Sequence, residues 1–156
     1  MTPVGSPVAG TLTALVDVPD PVFAGQLVGS GAAVEPLSGA GPLDVLAPVA
    51  GQLVKVHPHA FIVVTPGGTG LLVHLGIDTV KLEGAGFTLH AAEGDHVEAG
   101  ARIVTFDPDQ VRAGGLSASC PVVVLDSAAD SVDGLAYGSE VQPGDLLFDW
   151  PDGPAA

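Results

Sequence analysis

Apolar residues in this chain come in short runs, many of them β-branched, and glycine or proline closes almost every run. That punctuation favours many short strands over long helices. Strands are expected over residues 10–16, 26–28, 32–35, 44–46, 51–56, 60–65, 70–75, 87–89, 102–106, 122–125, 139–141 and 146–150. One short helix is expected to start in Asp107-Pro108-Asp109-Gln110-Val111-Arg112, with Asp107 as N-cap and Pro108 at the first helical position. The segment from Leu37 to Pro42 reads as a loop.

Two internal echoes add to this picture. Pro7-Val8-Ala9-Gly10-Thr11-Leu12 recurs as Pro48-Val49-Ala50-Gly51-Gln52-Leu53. Val97-Glu98-Ala99-Gly100-Ala101-Arg102-Ile103-Val104 resembles Val141-Gln142-Pro143-Gly144-Asp145-Leu146-Leu147-Phe148. Two copies are too few for a solenoid. The expected fold is therefore all-β: an antiparallel β-sandwich or barrel with a duplicated strand motif and at most short helical turns. Residues 1–156 are expected to form a single domain, with 1–5 and 151–156 frayed.

One stretch carries chemistry as well as pattern. It runs from His59 through Ala60-Phe61-Ile62-Val63-Val64, turns at Thr65-Pro66-Gly67-Gly68-Thr69-Gly70, and returns through Leu71-Leu72-Val73 to His74. It reads as a β-hairpin with a histidine at either end. A turn at Pro66-Gly67 sets His59 opposite His74. One at Gly67-Gly68 sets them diagonally on the same face. A three-residue loop sends them to opposite faces, because side chains alternate with period two.

The formal charge is −14, and Lys55, Lys81, Arg102 and Arg112 are the only basic side chains apart from histidine. Such a surface repels phosphate backbones and anionic lipid, so nucleic acid is excluded as a partner and a cationic protein suits it better. Cys120 is the only cysteine, which rules out an intrachain disulfide, and it reads as a buried inert thiol. No signal peptide or bilayer-spanning run is evident, so a cytoplasmic protein is expected.

Of the five histidines, His90 and His96 lie in a turn-rich segment beside Glu93 and Asp95 and read as exposed. His57 and His59 form a His-x-His pair across Pro58, a spacing that suits metal ligation on a strand. His74 alone reads as a core histidine bonded to backbone. A second imidazole across the hairpin changes that reading, since unpaired buried polar groups cost about 1–3 kcal/mol. Three uses remain: a zinc site, an acid/base pair, or a nucleophilic histidine with a helper. A zinc hydrolase would use His57, His59, His74 and Asp78. A non-catalytic interaction module would need neither histidine. Asp20 and Asp78 alone read as turn or surface residues, and Phe23 either faces a partner or caps the core.

A sequence of motifs then points to a family. Val18-Pro19-Asp20-Pro21-Val22-Phe23-Ala24-Gly25-Gln26-Leu27-Val28-Gly29, Ala47-Pro48-Val49-Ala50-Gly51, His59-Ala60-Phe61, Val73-His74-Leu75-Gly76-Ile77-Asp78-Thr79-Val80 and Glu83-Gly84-Ala85-Gly86-Phe87 occur in that order. Together they closely resemble the glucose-type IIA component of the bacterial phosphoenolpyruvate-dependent sugar phosphotransferase system. The block from Val73 to Val80 is the most specific. The Pro-Val-Ala-Gly turns also occur in lipoyl and biotinyl carriers, but no lysine stands at such a turn here.

The resemblance implies an antiparallel β-sandwich that takes a phosphoryl group from the phosphocarrier HPr and passes it to the cysteine of a IIB domain of a membrane sugar permease. It implies a cytoplasmic protein in peripheral contact with that permease. Carried over by motif, His74 corresponds to the phosphorylated nucleophile, His59 to the stabiliser of the phosphoryl group, and Gly76 to the carbonyl that fixes the His74 tautomer. Asp20 and Asp78 correspond to rim carboxylates that meet a basic HPr side chain, and Val22, Phe23 and Leu72 to an apolar docking face. No cofactor is required. A zinc shared between His59, His74 and a partner's carboxylate is a further implication, as are regulated enzymes or transporters among the partners.

The chemistry agrees, because a neutral imidazole is nucleophilic near neutral pH and phosphoryl transfer needs mainly positioning and electrostatics. The chain also departs from the family. The threonine usual two residues before the helper is His57, followed by Pro58, and the segment before it is shorter. The loop around residues 38–43 is longer, and because the residues before Ser6 do not resemble the amphipathic N-terminal tail of some members, tail-mediated membrane contact is not expected.

Overall fold

The structure, a computed structural model, describes residues 2–151. Its strands are β1 (Thr2–Gly5), β2 (Gly10–Thr13), β3 (Gly29–Glu35), β4 (Leu43–Leu46), β5 (Gly51–His57), β6 (Ala60–Val64), β7 (Gly70–His74), β8 (Phe87–Leu89), β9 (His96–Val97), β10 (Arg102–Phe106), β11 (Cys120–Leu125), β12 (Glu140–Val141) and β13 (Leu146–Trp150). Two short helices, α1 (Pro21–Ala24) and α2 (Pro108–Ala113), and two 3-10 turns, Leu15–Asp17 and Thr79–Leu82, lie between them. The sheets run β12-β2-β3-β11-β7-β6-β5-β9, β4-β10-β8 and β1-β13. The paired strands are antiparallel throughout, as the sequence led one to expect.

The sequence echoes are echoes of pairing. Gly10 pairs with Val141 and Thr11 with Glu140. In the second copy Gly51 pairs with Val97 and Gln52 with His96. Likewise Gly5 pairs with Leu146 and Val4 with Phe148, while Leu46 pairs with Arg102 and Val45 with Val104. The register shift falls at the matching place in both copies. A Cβ on Gly10 would sit 2.4 Å from the Glu35 carbonyl oxygen, and one on Gly51 would sit 2.2 Å from that of Val64. The glycine of the repeated turn is thus required by the close approach of a neighbouring strand.

Alternation sorts the large sheet into two faces. Leu53, Phe61, Val63, Leu71, Val73, Val122 and Val124 point into the main core. Ala33 and Val123 point the other way and join Leu15, Val18, Phe23 and Ile77 in a second apolar cluster, with Val28 and Leu72 packed against it. His74, two residues from Leu72, shares that second face.

Several expectations need correction. Residues 2–5 are not frayed: they form β1 against β13. The strand expected over 10–16 stops at Thr13 and gives way to the 3-10 turn. Residues 26–28 form no strand, and Pro21–Ala24 is helical because Pro21 occupies an early helical position behind the Asp20 cap. Of the segment 151–156, all but Pro151 lies outside the described residues. The helix capped by Asp107 forms as expected, with Asp107 accepting from the Asp109 and Gln110 amides.

The hairpin register is the sharpest correction. Ala60 pairs with His74 and Val64 with Gly70. Thr65 and Thr69 close a three-residue loop, with Gly68 at φ +90°. This is the loop length that would separate the histidines if His59 stood on the strand. It does not: His57 pairs with Ala60, so Pro58 and His59 form the two-residue turn between β5 and β6. At a turn, strand alternation no longer dictates where the ring points.

Candidate functional site

His74 ends β7, and the chain then folds back on itself. The His74 Nδ1–H donates to the Gly76 carbonyl oxygen at 2.6 Å. A carbonyl can only accept, so Nδ1 carries the proton in the neutral ring and Nε2 keeps its lone pair. Gly76 reaches this position at φ +78°, where the left-handed backbone suits glycine.

Three more bonds pin the turn. The Thr79 hydroxyl donates to the Leu75 carbonyl at 2.7 Å, the Ile77 amide to Ser117 at 2.9 Å and the Leu75 amide to His59 at 2.7 Å. The last of these ties the two histidine loops together by backbone. Sequence reasoning did not single out Thr79 or Ser117. Thr79 was visible inside the specific block; the Ser117 carbonyl left no sequence signal.

The structure brings His59 and His74 together, with ring centroids 5.3 Å apart at 68°. Phe23 meets the His74 ring edge-on at 5.4 Å, and His57 stacks on His59 at 5.6 Å and 22°. Phe23 is buried in the second cluster, which it caps while its ring touches His74. Val22 is exposed and Leu72 is half-buried. Leu27 and Val80, also exposed, extend the apolar surface on the segments that carry Asp20 and Asp78.

Asp20 accepts from the Val22 and Phe23 amides and so fixes α1. Asp78 is exposed and takes φ +61° at the start of the second 3-10 turn. Burial pulls His74 below the ordinary imidazole range, while the Gly76 bond, Asp20 and Asp78 pull it back up. Burial, then the neighbouring His74 and His57, lower His59. Both rings are therefore neutral near pH 7.

The same shifts set a stability trend. The unfolded histidines titrate at about 6.5, above their folded values, so below that pH the unfolded chain binds more protons. Folding is penalised as pH falls from about 6.5 through the lowered folded values, and the penalty is absent above that window. Unfolding melts between pH 7 and pH 5 should show this loss, and a His59→Gln/His74→Gln double variant should show a shallower slope. An unchanged slope contradicts the assignment.

Among the described residues, no group of three or more His, Cys, Asp or Glu side chains is placed to hold a metal ion. The set His57, His59, His74 and Asp78 therefore lacks the three-ligand centre that a zinc hydrolase needs. His59 and His74 alone offer two nitrogen donors, half of a tetrahedral set, and the rest would have to come from a partner. His90 and His96 are exposed, away from the site; His90 bonds Thr105, which bonds Asp44. Cys120 is buried, and burial pushes its thiol up to about 12, in line with an inert role.

A nucleophilic imidazole with a fixed tautomer, a second neutral imidazole beside it and carboxylates at its rim have the chemistry of a histidine phosphoryl carrier. Comparison with known proteins agrees. The family described as phosphoenolpyruvate-dependent sugar phosphotransferase system, EIIA 1 matches residues 2–129. The PTS system glucose-specific EIIA component of Halalkalibacterium halodurans is 46% identical over 121 residues, covering 76% of this chain and 68% of that protein. The PTS system glucose-specific EIICBA component of Streptococcus pneumoniae is 46% identical over 122 residues, 77% of this chain but 16% of that longer protein. The solved glucose permease IIA from Mycoplasma capricolum shares the fold with a TM-score of 0.84 at 34% identity, over 94% of each chain. The chain belongs to this EIIA family, and it is a phosphoryl-carrying component of the sugar phosphotransferase system.

Proposed function

We propose that Nε2 of His74 accepts the phosphoryl group from phosphorylated HPr and passes it to the cysteine of a IIB domain. The carrying observation is the 2.6 Å bond from Nδ1 to Gly76, which leaves Nε2 as the free nucleophile next to His59. In the first step a bond forms between Nε2 and phosphorus as the bond to HPr breaks. In the second, the IIB sulfur displaces His74. His59 donates an N–H to the phosphoryl oxygens as charge gathers on them. Phe23 and Leu72 exclude water and so slow hydrolysis of the N–P bond. Asp20 and Asp78 sit outside the reacting atoms and steer a cationic partner towards a chain of charge −14.

The name of the Streptococcus pneumoniae relative supports a IIB partner, since an EIICBA component holds A, B and C units in one chain. Among the described residues no helix is long and apolar enough to cross a membrane. The proposed setting is the cytoplasmic side of a membrane permease, which the protein meets through IIB.

The test is phosphorylation with phosphoenolpyruvate, Enzyme I and HPr. One acid-labile, base-stable phosphoryl group per chain is expected. His59→Gln should still take the label but pass it to IIB roughly 10- to 100-fold more slowly, since its amide N–H is a weaker donor and lacks the ring whose plane is set by packing on its neighbours. Onward transfer at the wild-type rate would remove His59 from the mechanism.

A further inference from the structure

The His59 ring is held in an unusual way. His59 lies in a turn, so no strand register aims its side chain. Among the described residues, no hydrogen bond holds its ring. Its ring contacts are aromatic: His74 meets it edge-on at 5.3 Å, and His57 stacks on it at 5.6 Å with only 22° between planes. His57 can play this part because it pairs with Ala60 and so marks the base of the turn. Pro58 narrows the backbone freedom between the two histidines.

We infer that His57 is a positioning residue for His59, its ring serving as the backstop that turns the His59 plane towards His74. This inference rests on the proposed roles of His59 and His74. A hydroxyl two residues before the helper would act through a hydrogen bond with a defined direction. A stacked ring instead restrains the plane and leaves both His59 nitrogens free, so His59 can turn an N–H towards a phosphoryl group without first breaking a bond. His57 also shields one side of His59 from water.

The consequences separate a stacking role from a merely structural one. His57→Ala should slow transfer from the phosphorylated chain to IIB by about three- to tenfold, the range set by the loss of one aromatic pair. His57→Phe, which keeps a ring without nitrogen, should stay within about twofold of wild type. On a His59→Gln background the alanine substitution should add nothing, because His57 acts only through His59.

A second readout needs no phosphoryl transfer. The titration midpoint of His59 in the unphosphorylated protein, followed by NMR, should rise in His57→Ala. The change exposes His59 and removes a like-charged neighbour, and both effects raise it. The remaining titratable neighbour is His74, itself influenced by Asp20 and Asp78, and neither His57 variant alters these groups. Wild-type transfer and an unmoved His59 midpoint in His57→Ala would overturn the inference. So would a phenylalanine variant as slow as the alanine one, or an additive effect on the His59→Gln background. If the wild-type chain takes no phosphoryl group at all, the functional reading fails, while the His59 midpoint still decides whether His57 positions that ring.

Discussion

Replacement of His74 by glutamine is expected to reduce phosphorylation by phospho-HPr to background while leaving the protein folded. Glutamine is polar and of similar volume, and the Thr79, Ile77 and Leu75 bonds still pin the turn, so it loses little. It has no nitrogen lone pair able to attack phosphorus, so the first step loses its nucleophile. His59 cannot take over: it lies in a turn, without the bond that fixes the His74 tautomer, and burial bears on it less than on His74. Labelling, together with a melting temperature within about 2 °C of wild type, would show that chemistry rather than folding was lost. Retained labelling would remove His74 as the acceptor.

The second large effect belongs to a residue with no side chain. At Gly76 a Cβ would fall 2.6 Å from the Thr79 methyl and 2.9 Å from the Ser117 carbonyl oxygen, at φ +78°. Alanine must shift the backbone and still occupy a left-handed conformation, at a combined cost of about 2–3 kcal/mol. The shift also displaces the carbonyl that His74 Nδ1–H binds. His74 can then exchange tautomers, and the fraction with a free Nε2 falls. Gly76→Ala should lower the melting temperature by several degrees and slow phosphorylation by roughly tenfold. Calorimetry and labelling kinetics measure the two separately. A variant as fast and as stable as wild type would show that the Gly76 carbonyl does not organise the site.

Much of this site was legible in the sequence, for definable reasons. Glycine- and proline-closed apolar runs marked most strands because those residues act locally. The repeated Pro-Val-Ala-Gly turns marked a true duplication because each copy needs a glycine where a neighbouring backbone comes close. The bond from His74 to Gly76 was implied by family motif and is a local bond between residues two apart. What escaped notice was non-local. β1 exists through pairing with β13 at the far end of the chain, and the two-residue strand β9 exists through β5. The hairpin illustrates a subtler failure. Period-two reasoning was sound for residues on strands, but the pairing of His57 with Ala60 takes His59 out of its reach. The two rings meet because a turn, not a register, delivers one of them.

The pairing of β1 with β13 also bears on how such a protein can be attached to others. Thr2 and Pro3 line the same hollow as Pro66 and Gly67, and Trp150 borders another beside Gly68 and Thr69. Both places lie at the loop end of the β6–β7 hairpin, a full strand length from His74, or roughly 15 Å. A tether joined at Thr2 or at Trp150 would therefore start about a strand's length from the two imidazoles, and under the proposed function its leash would leave the face that meets donor and acceptor uncrossed.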